Sequence, residues 1–103
     1  MEPKVGMGAT MSFGSDRRPY TVIAVPSPKR IIIQADLYRL LSDGEECEED
    51  EYCREGYKFC TDANAPFVEV TLRKNGRWHI KGQDMNSQPV AIGYRRYYYD
   101  PHF

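Results

Sequence analysis

The residues best suited to chemistry in this chain are cations that occur in two stretches, residues 73–81 and 94–99. Arginine and lysine side chains can contact nucleic-acid phosphates, and each neutralised phosphate releases counterions. The second stretch interleaves its cations with tyrosines, which can stack on unpaired bases. The alternative for the same pattern is a solvated strand face with packed tyrosines. The candidate phosphate-binding residues are Arg73, Lys74, Arg77, Lys81, Arg95 and Arg96.

A group of opposite charge lies in the middle of the chain. Residues 43–55 contain eight acidic residues and one basic residue, although the net charge of the whole chain is only −1. The run lacks the alternating ligands and mid-loop glycine of a helix–loop–helix calcium site. It is typical of a solvated loop, with a surface for a basic protein or a loose cation site as alternatives. The protein-binding candidates are Glu45, Glu46, Glu48, Glu49, Asp50 and Glu51.

Three cysteines, Cys47, Cys53 and Cys60, fall in or beside this acidic run. Structural zinc sites usually contain two cysteines separated by two to four residues, and that spacing is missing, so we expect no metal site. A Cys47–Cys53 or Cys53–Cys60 disulfide would require oxidising conditions. We therefore expect three free thiols in a reducing cytosol.

The sequence contains few features of an enzyme. It has no nucleophile-elbow, zinc-protease or phosphate-loop motif, and its two histidines offer few general bases. We expect no catalytic residues and no cofactor.

Residues 67–81 predict a β-hairpin whose register follows from its polarity. A two-residue Asn-Gly turn would mix core and solvent residues on the same face. A three-residue loop with Gly76 in the left-handed conformation instead keeps the apolar residues together, because glycine lacks the Cβ that penalises positive φ. The predicted pairs are Leu72 with Trp78 and Val70 with Ile80.

The opposite face of this hairpin is then the basic one. Glu69 is expected opposite Lys81 as an ion pair, and His79 is expected on the same outer face. The hairpin therefore positions the first group of candidate cations.

The other elements predict an all-β domain. Short strands are expected near residues 10–13, 20–25, 30–34 and 90–93, and residues 36–42 either form one or two helical turns or continue the preceding strand. About five short strands, an acidic loop insertion and at most one short helix favour a small SH3-like barrel. We expect one domain over residues 1–103, with an acidic excursion at 43–56 and an aromatic segment at 94–103.

Two resemblances add to this interpretation. Residues 6–36, with a glycine-bearing turn, a β-branched strand, a proline turn and a second strand, resemble SH3-like barrels of the KOW and Tudor type. More specifically, the chain is similar to small, functionally uncharacterised proteins encoded by phages and prophages. That likeness is carried by residues 5–10, 15–17, 21–23, 34–36, 72–78, 92–93 and 99–103. It implies a gene product that works inside a bacterial cell and assigns no site residue.

Together these observations predict a non-enzymatic phage or prophage binding module in the bacterial cytoplasm. No apolar run has the length of a membrane span, and the N-terminus lacks the apolar core of a signal peptide. Nucleic acid, bound through the basic hairpin face, is the first candidate partner. The alternative is a host-takeover or counter-defence protein whose residues 43–55 bind a basic bacterial protein. A virion or assembly component is a third possibility, and the sequence does not set the oligomeric state.

Overall fold

The computed structural model describes residues 2–99, and these residues form eight β-strands and no helix. The strands, in chain order, are β1 (Gly8–Phe13), β2 (Asp16–Ser27), β3 (Arg30–Leu40), β4 (Tyr52–Arg54), β5 (Tyr57–Thr61), β6 (Phe67–Leu72), β7 (Trp78–Ile80) and β8 (Ala91–Ile92). The all-β prediction is confirmed. Eight strands are present where about five were expected, because β4, at the end of the acidic excursion, and β5, directly after it, are additional strands.

The strand pairings form a ring. β1 pairs with β2, β2 with β3, β3 with β6 and β6 with β7, all antiparallel. A single bridge between Trp78 and Val90 then joins β7 to the residue before β8, and β8 pairs with β1. The sheet therefore curls into a barrel-like structure whose seam is covered by one bridge and a two-residue strand.

The second half of β3 leaves this ring and builds a smaller sheet. Asp36 to Leu40 pair with β5, and β5 pairs with β4. Helical turns at residues 36–42 were therefore the wrong alternative, and the continued strand was the right one. Pairing with β5 satisfies the backbone groups along this stretch and places Tyr38 opposite Phe59, which overrides the local helical signal.

The hairpin register predicted from polarity is confirmed. Val70 pairs with Ile80 and Leu72 with Trp78. Gly76 has a φ of 79°, so it occupies the left-handed conformation that the three-residue loop requires. The inward side chains of the ring form the core, which contains Ala9, Met11, Val22, Ile31, Ile33, Val70 and Val90.

Residues 94–98, which we call the tyrosine–arginine strap, run across the outside of β1 and β2. The backbones of Arg17 and Tyr98 exchange two hydrogen bonds, at 2.8 and 2.9 Å. At Gly8 a Cβ would lie 2.9 Å from the carbonyl carbon of Tyr94, so only glycine allows the strap to approach this closely. The expected aromatic segment at 94–103 is thus a packed strap as far as residue 98; Met1 and residues 100–103, including His102, lie outside the described part of the chain.

Candidate functional site

Arg95 and Arg96, the two strap arginines among the candidate cations, are held by carboxylates of the protein itself. Arg95 Nε lies 2.8 Å from Asp36 Oδ2, and its side chain is only 13% exposed. Arg96 Nε lies 3.0 Å from Glu55 Oε1. Neither guanidinium is presented to solvent as an isolated charge.

Of the four candidate cations on the hairpin, two bond to other groups of the protein and two are exposed without an ion pair among the described residues. Arg73 donates to Thr71 Oγ1 at 2.7 Å and to the Ile80 carbonyl at 3.0 Å. Lys81 pairs with Glu69 at 3.1 Å, as the register predicted. Lys74 and Arg77, at the tip, are exposed and make no ion pair with any residue between 2 and 99.

His79 is not on a solvated face, contrary to expectation. It is 1% exposed because residues 82–89 fold back over this side of the hairpin. Its Nδ1 lies 3.0 Å from Ser87 Oγ, and its Nε2 lies 3.4 Å from Asn75 Nδ2. The hydrophobic periodicity that fixed the register carries no information about a loop that covers the polar side.

The hydrogen bonds around His79 assign a structural role to it. Asn75 Oδ1 accepts from the Arg77 amide, so Asn75 Nδ2 is the donor that faces Nε2. The ring must then carry its proton on Nδ1 and donate to Ser87 Oγ, which itself donates to the Asp84 carbonyl at 2.6 Å. A histidine in this tautomer cannot take a proton from Ser87, so the pair is not arranged for nucleophilic catalysis.

A buried polar network anchors the strap to the barrel. Arg95 bonds Asp36 through Nε and Thr21 Oγ1 through Nη2, at 2.8 and 2.9 Å, and Thr21 donates to Asp36 at 2.5 Å. Burial raises the pKa of Asp36, while the hydrogen bond from Thr21 and the charge of Arg95 oppose that rise. The guanidinium also lies 4.9 Å from the ring centre of Tyr52.

The strap tyrosines are mostly in contact with other side chains of the protein. Tyr97 stacks on Tyr38 with ring centres 4.0 Å apart and meets Tyr57 edge-on at 4.9 Å. Arg54 lies 5.1 Å from the ring centre of Tyr94. These contacts correspond to the packed-tyrosine alternative for Tyr97, whereas Tyr94 keeps an exposed fraction of 37%.

The acidic segment is a closed loop. Cys47 and Cys53 form a disulfide, so the expectation of three free thiols was wrong; Cys60 is free and exposed. Strand pairing of β4 with β5 holds Cys53 in place and brings the loop back toward Cys47, which the spacing alone could not reveal.

Two carboxylates of this loop are used to hold its base. Arg39 donates to both oxygens of Glu45, at 2.9 and 2.6 Å, and the Ser42 amide donates to Glu45 at 2.9 Å. These hydrogen bonds lower the pKa of Glu45 to about 2. Lys58 pairs with Glu51, and the hydrogen bond between them lowers the pKa of Glu51.

Five other carboxylates of the acidic segment, on both sides of Cys47, point into solvent. They are exposed and form no ion pair within residues 2–99: Glu46, Glu48, Glu49 and Asp50, together with Asp43 at the start of the loop. The protein-binding candidates thus separate into two structural carboxylates, Glu45 and Glu51, and four that are free to meet a partner.

Comparison with known proteins identifies no relative. No family model matches the sequence, and no curated protein and no solved structure matches it significantly. Within residues 2–99, no group of three or more histidine, cysteine, aspartate or glutamate side chains is placed to hold a metal ion. The same part of the chain contains no helix long and apolar enough to cross a membrane.

Proposed function

We propose that this protein is a non-catalytic binding module of phage or prophage origin. It presents its acidic loop to a basic surface on a bacterial host protein. The observation that carries this proposal is the set of four exposed carboxylates, Glu46, Glu48, Glu49 and Asp50, which have no cation inside the described chain. By contrast, four of the six candidate phosphate-binding cations are already engaged by groups of the protein itself.

The way in which the loop is held supports a binding role. The Glu45–Arg39 and Glu51–Lys58 pairs fix the base of the loop before any partner arrives. Where the thiols are oxidised, the Cys47–Cys53 bridge restricts the loop further. Preorganisation of this kind reduces the entropy that binding must spend on ordering. Unpaired carboxylates on such a loop steer a basic partner by long-range attraction and set the register of the complex.

The fold and the compartment belong to the same proposal. A ring of antiparallel strands, with a hairpin and a two-residue closing strand, supports an SH3-like barrel as the scaffold. We place the protein in the host cytoplasm. Disulfides are rare there, and in the reduced state the two ion pairs would hold the loop without the bridge.

Affinity capture tests the proposal. Tagged wild-type protein is incubated with nuclease-treated bacterial lysate at about 50 mM salt, so that bridging by nucleic acid is removed. The test variant carries Glu46→Gln, Glu48→Gln, Glu49→Gln and Asp50→Asn, which neutralise the loop tip and leave its base intact. The matched control carries Lys74→Gln and Arg77→Gln, which remove the two available hairpin charges.

We expect the wild type and the control to capture the same basic host protein and the loop variant to lose it. Direct titration of that purified host protein should then give weaker binding to the loop variant at low salt, with little difference at about 1 M salt. If the loop variant retains the partner while the hairpin variant loses it, the acidic loop is not the binding surface.

A further inference from the structure

A groove of about 520 Å³ crosses the seam of the barrel, between the β6–β7 hairpin turn and the start of the tyrosine–arginine strap. Gly76 and Arg77 from the turn line one side, and Ser12 and Arg17 from β1 and β2 line the other. Its floor is the segment around Val90, where the ring is closed by the Trp78 bridge and by β8 alone. The groove lies where β8, the shortest strand of the ring with only two residues, is too short to fill the seam between β1 and β7.

The chemistry of the groove is cationic and aromatic. Two arginines, Arg17 and Arg77, and two large aromatic residues, Trp78 and Tyr94, line it, and none of the described lining residues is acidic. The Nη1 of Arg17 donates to the carbonyls of Gly14 and Asp16, at 3.1 and 2.9 Å, which fixes the position of this guanidinium. Arg77 makes no ion pair with the described residues, so its charge is available.

We infer that this groove binds single-stranded nucleic acid, with phosphates at Arg17 and Arg77 and a base against the aromatic residues. The inference does not depend on the acidic loop and concerns a different surface. It uses one of the six cations selected from the sequence, Arg77, and adds Arg17, Trp78 and Tyr94, which the sequence did not place together.

Charge complementarity and aromatic lining select this occupant. Guanidinium groups attract any anionic chain, but the indole and phenol rings that line the groove add most to binding when the ligand carries flat bases that can stack. A duplex keeps its bases stacked inside, so it would gain the phosphate contacts without the aromatic ones. An acidic peptide would likewise use only the two charges.

The chain contains a single tryptophan, so the proposed ligand can be followed without a label. The fluorescence of Trp78 is recorded while a twelve-nucleotide oligothymidylate is added, at about 50 and 200 mM salt. We expect saturable quenching, with a dissociation constant on the order of 10 µM at the lower salt and weaker binding at the higher salt. A blunt duplex of the same length and an oligoglutamate peptide are titrated in parallel.

Three variants locate the ligand. Arg77→Ala should weaken binding about tenfold, as expected when one charge-assisted contact to a phosphate is lost. It should also lower the slope of the logarithm of the binding constant against the logarithm of the salt concentration by about one, the contribution of one phosphate contact. Tyr94→Leu should weaken binding while leaving the salt dependence unchanged, because it removes stacking and no charge. Lys4→Ala, which removes an exposed cation that does not line the groove, should bind like the wild type.

Thermal melts of all three variants confirm that each is folded before binding is compared. Absence of quenching with folded wild-type protein would overturn the inference. So would equal weakening by Lys4→Ala and Arg77→Ala, which would mean unspecific attraction by the total charge. Tighter binding of the duplex or of the oligoglutamate would assign the groove to a different ligand.

Discussion

Replacing Arg95 with alanine tests whether the buried network holds the strap to the barrel. The substitution removes the cation from an aspartate, Asp36, whose side chain is completely buried. It also removes the donors to Thr21 Oγ1 and to the Gly6 carbonyl, at 2.9 and 3.2 Å. Asp36 would then have to remain charged with only Thr21 beside it, or take up a proton.

The loss in the free energy of unfolding depends on whether Asp36 stays charged or takes up a proton. Removing one partner of a buried ion pair typically costs about 3–5 kcal/mol. Protonation limits the cost, because neutralising a carboxyl of ordinary pKa 3.8 at pH 7 requires about 4 kcal/mol. Arg95 is 13% exposed, so water replaces part of what it provided, and we expect a loss of about 3 kcal/mol at pH 7.

The loss should depend on pH in a defined direction. Burial already raises the pKa of Asp36, so its contribution to stability is greatest below pH 3.8 and declines as the pH rises through the raised value. Without Arg95 the pKa rises further. At pH 5, protonating a carboxyl of ordinary pKa 3.8 requires only about 2 kcal/mol, which limits the loss to that amount. The free energy of unfolding of Arg95→Ala should therefore approach that of the wild type as the solution is acidified.

Urea unfolding at pH 7 and pH 5, followed by Trp78 fluorescence and by circular dichroism, measures these free energies. Asp36→Asn combined with Arg95→Ala is the matched control, because it removes the buried charge together with its partner and should recover part of the loss. A loss below about 1 kcal/mol at pH 7 would refute the reasoning. An equal loss at both pH values would refute the part that depends on Asp36.

Three further predictions concern other elements. Gly76→Val forces a β-branched residue to a φ of 79° and should lower the melting temperature by about 5–10 °C. Lys74→Val, in the same turn, should leave the melting temperature unchanged. If the two variants melt at the same temperature, the turn relaxes to accommodate valine at position 76. Thiol titration of the unfolded protein should find one reactive thiol before reduction and three after it. Cys53→Ser should lower the free energy of unfolding by about 2 kcal/mol, because it removes a short covalent loop. Glu45 should titrate with a pKa of about 2 in a carboxyl-carbon NMR experiment. The stability that its pairing with Arg39 contributes is then fully present above pH 4.5 and is lost as the pH falls through about 2; a midpoint near 4.5 would show that the pair does not form in solution.

The hairpin was predictable from the sequence because one face had to be apolar. The three-residue loop, unlike a two-residue Asn-Gly turn, brings Val70 and Leu72 onto the same face as Trp78 and Ile80, and Gly76 permits that loop. The Glu69–Lys81 pair followed from the same register. Local pattern and tertiary structure agree in this segment, which is why both the strands and their partners could be assigned.

The strap and the loop over His79 carry no periodic signal. The alternating tyrosines and arginines of residues 94–98 suit an exposed binding segment as well as a packed one, and Asp36, which decides between them through Arg95, lies 59 residues away. Ser87, which covers His79, sits in a loop whose large apolar side chain, Met85, is exposed, so hydrophobicity does not mark this loop as packed. The groove beside Trp78 could not be predicted either, because it arises where β8 is too short to fill the seam.

The seam has a consequence for how the chain acquires its structure during synthesis. β1 is made before the other strands of the ring, whereas its second neighbour, β8, and the strap that covers it are made after them. Until residues 90–98 emerge, one edge of β1 has no partner and Ala9 and Met11 lack part of their cover. Pairing between segments far apart in the sequence is slow because loop closure costs entropy before contacts form. A nascent or truncated chain that stops before Val90 should therefore stay open at this edge and associate with chaperones or with other strands.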